Sequence, residues 1–338
     1  MITIAVLMYN EEKYILETLE SIKFQVTNFG EEREIQLILS DDCSKDRTTE
    51  IADIWVEENA ELFKYVDKLY GEENVGTCKK YADMVKAIRG DKYIVIAGDD
   101  VFSTQNVFSI LEACDRDILL TASLKFIGCK IKRGVWQNLN TVAQSMVSIK
   151  SIHWEAKLGS PVLNGAIFDI GILSDEVLKY MCRYRLLEDR ARVYKITFDK
   201  KNITLAYLNK PVILYRQNEV SVSSFRSPHL KTHNKDLDKL YEDAYENEKN
   251  SLIRWSIRCQ RRSAAYRGQQ GIKPILAKIT PYYFVIATRI MLHWFTIKQL
   301  YNELMKQYVM ENEKHLAKMH DAAINFRNEN LRALKFSK

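Results

Sequence analysis

The chain has 338 residues, of which 46% are hydrophobic and 28% charged, proportions that exclude a disordered or low-complexity protein and fit an ordinary globular one. Its six cysteines (Cys43, Cys78, Cys114, Cys129, Cys182 and Cys259) are scattered, with no Cys-x-x-Cys pair. That spacing argues against a zinc site or a disulfide framework and fits a reducing cytosol. The net charge of +6 is unevenly spread: Arg226 to Lys338 holds 21 Lys+Arg against 11 Asp+Glu, which leaves −4 for the first 225 residues. An acidic front and a basic rear imply different partners for the two parts.

Ile2–Leu7 reads as a buried strand. It is apolar but too short, and has no basic segment before it, for a signal peptide. A helix follows with Ile15, Leu19, Ile22 and Val26 at helical spacing. Ile35–Leu39 is the next strand, and Ser44 is the expected N-cap of a helix carrying Ile51, Ile54 and Trp55. Tyr65–Tyr70 is a third strand. A helix with Tyr81, Met84, Val85 and Ile88 on one side is expected to stop at Gly90. Tyr93–Ala97 is a fourth strand. Regular alternation of strand and helix predicts an α/β fold with a doubly wound, mostly parallel sheet, whose ligands sit outside the carboxyl ends of the strands. The residues there are Tyr9-Asn10-Glu11, Asp41-Asp42 and Asp99-Asp100. Residues 117–225 read as mixed strands, loops and short helices. A boundary at 226–235 divides a catalytic domain, 1–225, from a basic helical region, 226–338.

Adjacent carboxylates at the end of an apolar strand repel each other unless a cation neutralises them, and Mg²⁺ or Mn²⁺ bridging a diphosphate does so for Asp99-Asp100. The plain alternative is a helix cap, with Ser103 or Thr104 competing for that place. Asp42 can accept the imide N–H of uracil or thymine, or ribose hydroxyls, and Tyr9 can stack on a base. Taken singly, Tyr9 is as well a packing residue and Asp42 a turn residue.

Three stretches, Ile4-Ala-Val-Leu-Met-Tyr-Asn-Glu-Glu-Lys-Tyr-Ile, Leu37-Ile-Leu-Ser-Asp-Asp-Cys-Ser-Lys-Asp-Arg-Thr and Gly90-Asp-Lys-Tyr-Ile-Val-Ile-Ala-Gly-Asp-Asp, together with Asn74-Val-Gly, resemble the family-2 glycosyltransferases with the GT-A fold. The resemblance covers about 100 residues, with weaker echoes to about 225. It implies an inverting transferase using a UDP- or dTDP-sugar. Tyr9, Glu11 and Asp42 would then serve the nucleotide, Lys80 the diphosphate, Asp99 the ribose or metal, and Asp100 would be the main ligand of Mn²⁺ or Mg²⁺. For Lys80, a solvated helix lysine is the alternative. Inversion needs a general base on the acceptor side. In Leu186-Leu-Glu-Asp-Arg-Ala-Arg, the resemblance assigns that role to Asp189, with Glu188 as the alternative and a helix-start carboxylate as the structural one. Ser160-Pro-Val-Leu-Asn-Gly resembles the loop that faces the acceptor, and His153 and Trp154 are expected near the same cleft. Departures from the family pattern are Leu7-Met8, where Pro is usual, and Asn218, where a His often stands. Arg216 is expected on the acceptor side, able to pair with phosphate.

Between Lys249 and Tyr301 there are ten Lys+Arg and no Asp or Glu. Thr280-Pro281 is a helix start, and the apolar run after it is interrupted by Arg289 and His293, too short for a span. It suits a helix lying on an anionic membrane surface, placing the protein on the inner face of the membrane with a glycan or lipid-linked acceptor. The alternative is packing or homo-oligomer contact. Nucleic acid is not expected, since no recognition motif accompanies the basic segment. Two rival functions are a non-catalytic sugar-nucleotide or membrane-binding protein on a transferase scaffold, and a sugar-phosphate nucleotidylyltransferase. The latter usually has a Gly-rich loop after the first strand, which Tyr9-Asn10-Glu11-Glu12 does not resemble.

Overall fold

The alternating patterns of the first hundred residues become a four-stranded parallel sheet in the computed structural model, which describes residues 1–133, 149–158, 166–200, 202–217, 228–266 and 279–331. Its strands are β1 (Ile2–Met8), β2 (Ile35–Asp41), β3 (Tyr65–Tyr70) and β4 (Lys92–Ala97), in the order β3-β2-β1-β4. The central pair is buried on both faces, which is why both strands read as unbroken apolar runs. Ile4 and Val6 of β1 face the helices α1 (Ile15–Phe29) and α2 (Thr48–Glu57); Ala5 and Ile38 face α3 (Thr77–Ala87). In register, Met8 lies beside Asp41 and Leu7 beside Ala97. The loops after β1, β2 and β4 therefore leave one edge together, at the switch point of the sheet.

The chain then enters a second, mixed sheet. Its strands are β5 (Val101–Phe102), β6 (Ile118–Ile127), β7 (Lys130–Ile131), β8 (Ile167–Phe168) and β9 (Leu205–Arg216), ordered β5-β9-β6-β7 with β8 on β6. The long pair β6 and β9 runs parallel, and the other pairs antiparallel. Between the strands lie α4 (Val107–Ala113), α5 (Ile149–Lys157), α6 (Asp175–Met181) and α7 (Glu188–Asp199).

Two expected helix ends fall elsewhere. Ser44 does not cap α2, which begins at Thr48 after Arg47; its amide instead bonds the Asp41 carboxylate at 2.8 Å, closing the loop after β2. Gly90 does not end α3, which stops at Ala87. A Cβ on Gly90 would stand 2.4 Å from the Met1 carbonyl, so glycine there admits the start of β1.

The last hundred residues form α8 (Leu230–Asn247), α9 (Ser251–Ala265), α10 (Pro281–Leu292) and α11 (Trp294–Asn330), and they share the cores already described. Leu237, Leu240, Tyr241, Ala244 and Ile257 pack with α3, α6 and α7. Leu304, Val309, Leu316 and Met319 of α11 cover the second sheet, and Ala323 and Phe326 reach the α1 side of the first. A chain ending at residue 225 leaves those faces bare, and is expected to aggregate or to melt without cooperativity in calorimetry. A soluble fragment with a cooperative melt would mean that the first 225 residues complete their own core.

Candidate active site

The loops after β1 and β2 are laced together by their polar residues. Asn10, in the left-handed region at φ 56°, accepts the Lys45 amide at 2.7 Å and donates its own amide to Ser44 at 2.8 Å. The Glu11 amide donates to Thr48 at 2.7 Å and the Glu12 amide to Asp46 at 3.0 Å. Tyr9 stands half-buried at the start of this loop, its ring edge-on to His229 at 6.3 Å.

Asp42 is buried and accepts the amides of Val75 and Gly76 at 2.7 and 2.8 Å. Gly76 has φ 91°, and a Cβ there would lie 2.4 Å from the Arg185 side chain, so only glycine lets this loop close on Asp42. Burial raises the Asp42 pKa, opposed by those two amides and by the charges of Lys80 and Arg185. Lys80 is buried, not solvated; its ammonium donates to the Leu69 carbonyl at 2.7 Å while facing the Asp42 side. A fixed cation thus stands beside the proposed nucleoside carboxylate.

Asp99 and Asp100 follow β4 and do not cap a helix. The next helix, α4, is capped by Asn106, whose side chain accepts the Ser109 amide. Asp100 is buried, and desolvation together with the neighbouring Asp99 pushes its pKa well up. Glu11 reaches the same place. Burial, then Asp99, Asp100 and Asp46, drive its pKa up to about 9. The charges of Asp99 and Asp100 bear on Glu11, and that of Asp99 on Asp100, a repulsion that a bound cation would relieve. Among the described residues no three His, Cys, Asp or Glu side chains form a ready-made coordination group. Asp99 and Asp100 fit a divalent ion that takes its remaining ligands from phosphate and water, as Mg²⁺-type sites do.

Asp100 also lines a cleft of about 190 Å³ together with Glu188 and Asp189 at the start of α7. Its walls include Tyr81, Tyr93, Phe168, Tyr215 and Arg192. The Tyr81 and Tyr93 hydroxyls are 3.3 Å apart. The buried Arg192 guanidinium lies over the Phe168 and Tyr81 rings, at 4.1 and 4.4 Å. Glu188 is accessible from the cleft yet crowded by protein atoms. Desolvation and then Asp189 raise its pKa to about 7, with Arg192 pulling the other way. The segment before α7 is fixed from the C-terminal region: buried Asp236 of α8 accepts the amides of Arg185 and Leu186, both at 2.8 Å.

The structure puts other expected residues elsewhere. Arg216 is not on an acceptor face. It is buried behind the carboxylates, where its Nε donates to the Asp99 carbonyl at 2.6 Å and its guanidinium pairs with Glu17 at 2.6 Å. Trp154 stacks on Tyr282 at 6.0 Å, and half-buried His153 bonds toward the Thr197 backbone; neither lines the cleft. Ser160 to Gly165 and Asn218 lie outside the described residues.

Sequence reasoning missed a second buried row on α1: Glu17, Thr18, Ser21 and Gln25. The Thr18 hydroxyl bridges the carbonyls of Gly98 and Asp100, at 2.8 and 2.7 Å. Ser21 accepts the Phe102 amide at 3.0 Å, and Gln25 donates to Ser103 and Gln105. Polar residues at helical spacing beside an apolar stripe were the available signal. They satisfy backbone groups of the segment between β4 and α4 that its short pairing with β9 leaves over.

Comparison with known proteins agrees with this geometry. Residues 3–158 match the glycosyl transferase family 2 profile. Over 101 residues the chain is 29% identical to uncharacterised proteins of Mycobacterium bovis and Mycobacterium tuberculosis; that is 30% of this chain, and the match spans only 27% of those relatives' length. Among solved structures, S. aureus TarS 1–349 in complex with UDP-GlcNAc superposes with a TM-score of 0.54 at 17% identity, covering 96% of this chain and 88% of that one. The mannosyltransferase PcManGT from Pyrobaculum calidifontis, in complex with GDP-Man and Mn²⁺, gives 0.52 at 13% identity, covering 99% and 88%. The fold is GT-A. The likeness to the glycosyl transferase family 2 profile covers residues 3–158, somewhat under half of the chain.

The raised Glu188 pKa has a consequence for stability. An acid whose pKa is higher in the folded than in the unfolded chain holds its proton longer when folded, so stability falls as pH rises from about 4.5 to about 7. Glu188→Gln removes that loss. The variant is expected to melt near wild type at pH 5 and roughly 2 °C or more above it at pH 8. A pH-independent difference in melting temperature would refute the burial of this carboxyl.

Proposed function

We propose that the chain is an inverting, metal-assisted glycosyltransferase that moves a sugar from a UDP- or dTDP-sugar to a lipid-linked or surface-polysaccharide acceptor. One observation carries the reading: Asp100 and the adjacent pair Glu188-Asp189, which follows it by 88 residues in sequence, line a single cleft. TarS was crystallised with UDP and UDP-GlcNAc, and PcManGT with GDP-Man and Mn²⁺, which supports a nucleotide-sugar donor here.

In this reading Tyr9 and Asp42 hold the base and ribose, with the Val75 and Gly76 amides, then the charge of Lys80, opposing the rise that burial imposes on Asp42. Asp99 and Asp100 would hold the cation, and Glu11 beside them would release its proton once that cation offsets the repulsion. The bound cation supplies compensation for the charge that gathers on the departing diphosphate. The Asp189 carboxylate takes the proton of the acceptor hydroxyl as that oxygen bonds to the anomeric carbon. The bond from that carbon to the phosphate oxygen breaks on the opposite side, its electron pair leaving with the nucleoside diphosphate, and configuration inverts. The Arg190 amide holds an Asp189 carboxylate oxygen at 2.7 Å, and the neighbouring Glu188 is the alternative base.

The experiment is sugar transfer from UDP- and dTDP-sugars by purified protein, with and without EDTA. Asp189→Asn is expected to lower kcat by about 10²–10⁴-fold while UDP affinity stays unchanged. EDTA and Asp100→Ala are expected to abolish turnover. Full activity in EDTA would refute the metal, and full activity of Asp189→Asn would refute the base.

The second part of the reading concerns where the enzyme works. No helix among the described residues is long and apolar enough to cross a membrane. Yet α10 and its flanks leave Phe284 73% and Phe295 87% exposed, with Ile279, Met291 and Leu292 also bare. Clustered exposed apolar side chains mark an interaction surface, and the absence of acidic residues across 249–301 favours anionic lipid over a protein partner. Arg289 is not part of that surface: it forms a buried pair with Glu155 at 2.7 Å. Flotation with vesicles containing phosphatidylserine is expected to carry the wild-type chain upward. Phe284→Ser with Phe295→Ser should leave it at the bottom, and binding unchanged by that pair of substitutions would refute the surface.

A further inference from the structure

Behind Asp99-Asp100 stands a cation that the transfer chemistry does not use. The Arg216 guanidinium is 4.5 Å from the centre of the Tyr14 ring and 4.6 Å from that of Phe126, in a site closed to solvent. The Arg216 amide donates to Asp100 Oδ1 at 2.8 Å, and its Nε donates to the Asp99 carbonyl at 2.6 Å. Through backbone and side chain, one residue therefore fixes both carboxylate-bearing positions.

That closeness creates a conflict. A buried, uncompensated guanidinium beside two carboxylates would serve as their counter-ion and repel any second cation. Glu17, on the buried polar row of α1, resolves it. Its Oε2 takes the Arg216 guanidinium at 2.6 Å, and its Oε1 is 2.9 Å from His320 Nδ1 on α11. With Arg216 paired from behind by Glu17, the Asp100 carboxyl is left to face the cleft. The same long helix holds the loop at two further points. His315 Nε2 donates to the Phe102 carbonyl at 3.0 Å, and Asn312 accepts the Thr104 amide at 3.3 Å.

We propose that Glu17 and Arg216, braced by His320, are positioning residues that hold Asp99-Asp100 in place and keep their charge available to a divalent cation. The C-terminal helix α11 is thereby part of the catalytic apparatus rather than an appendage to it. This inference rests on the metal-assisted reading above.

The test measures Mn²⁺ affinity of the full chain by electron paramagnetic resonance in the presence of UDP, alongside the metal dependence of turnover. Glu17→Gln leaves Arg216 uncompensated. It is expected to weaken Mn²⁺ binding by about 10-fold or more, and to raise the KM for metal while kcat at saturating Mn²⁺ returns to near wild type. Glu17→Gln combined with Arg216→Gln removes both charges at once while keeping a side-chain N–H donor for the Asp99 carbonyl, and is expected to recover most of the lost affinity, which a merely structural role would not produce. His320→Gln, at a half-exposed position that the fold tolerates, is expected to shift Mn²⁺ affinity in the same direction by less. If wild type takes up no Mn²⁺ with UDP, the metal reading fails and the clamp with it. If wild type binds while Glu17→Gln and His320→Gln bind equally well, the clamp alone is overturned. Should Glu17→Gln not fold, the charge-free double variant and His320→Gln decide: wild-type affinity in His320→Gln together with weak binding in the double variant overturns the proposal.

Discussion

Negative charge held out of water at the end of a buried sheet is the constraint on which the rest of this molecule depends. Glu11, Asp99 and Asp100 stand where the loops after β1 and β4 leave the sheet, and Glu11 and Asp100 are penalised by burial and then by neighbouring carboxylates. Folding alone would not gather them there. Their cost is borne by a frame of hydrogen bonds to the surrounding backbone: Thr18, Ser21 and Gln25 from α1, Arg216 from β9, His315 and Asn312 from α11. A site that is costly in the free protein and relieved on binding is the usual relation between stability and function.

The same logic extends to the opposite end of the cleft. Glu188 and Asp189 open α7, and the chain leading to them is tied to Asp236 of α8. Both working ends of the site are thus braced by residues beyond position 228. The basic C-terminal region has two distinct faces. One is polar or apolar and inward, completing the cores and the site. The other is apolar and outward, on α10 and the start of α11, where Phe284 and Phe295 lie bare.

Much of this was legible in the sequence, for identifiable reasons. Strands buried on both faces announce themselves as apolar runs, so β1, β2 and β4 were read within a residue or two, as was β3. Their carboxyl ends then named Tyr9, Asp42, Asp99 and Asp100 as neighbours, because a parallel sheet brings such ends to one edge. Lys80 was harder: a lysine on a helix is ordinarily solvated, and only the fold shows it turned inward to the Leu69 carbonyl. Arg216 was misplaced because a motif gives order along the chain but not depth. It follows β9 into the interior, where Glu17 awaits it. His153 and Trp154 were drawn to the cleft by chemical type, but α5 uses them for packing against α7 and α10. No local pattern could reveal the partnership of Glu17 with Arg216 and His320, since 199 and 303 residues separate the partners.

The central claim is that one cleft holds a cation and a diphosphate at Asp99-Asp100 while Asp189 faces the acceptor. Anomalous diffraction from crystals grown with Mn²⁺ and UDP tests it most directly. The account predicts one strong manganese peak within about 2.2 Å of an Asp100 carboxylate oxygen, with diphosphate oxygens completing the shell and Asp189 facing the vacant sugar side. A manganese peak remote from Asp100, or a diphosphate bound without metal on another surface of the molecule, would contradict it.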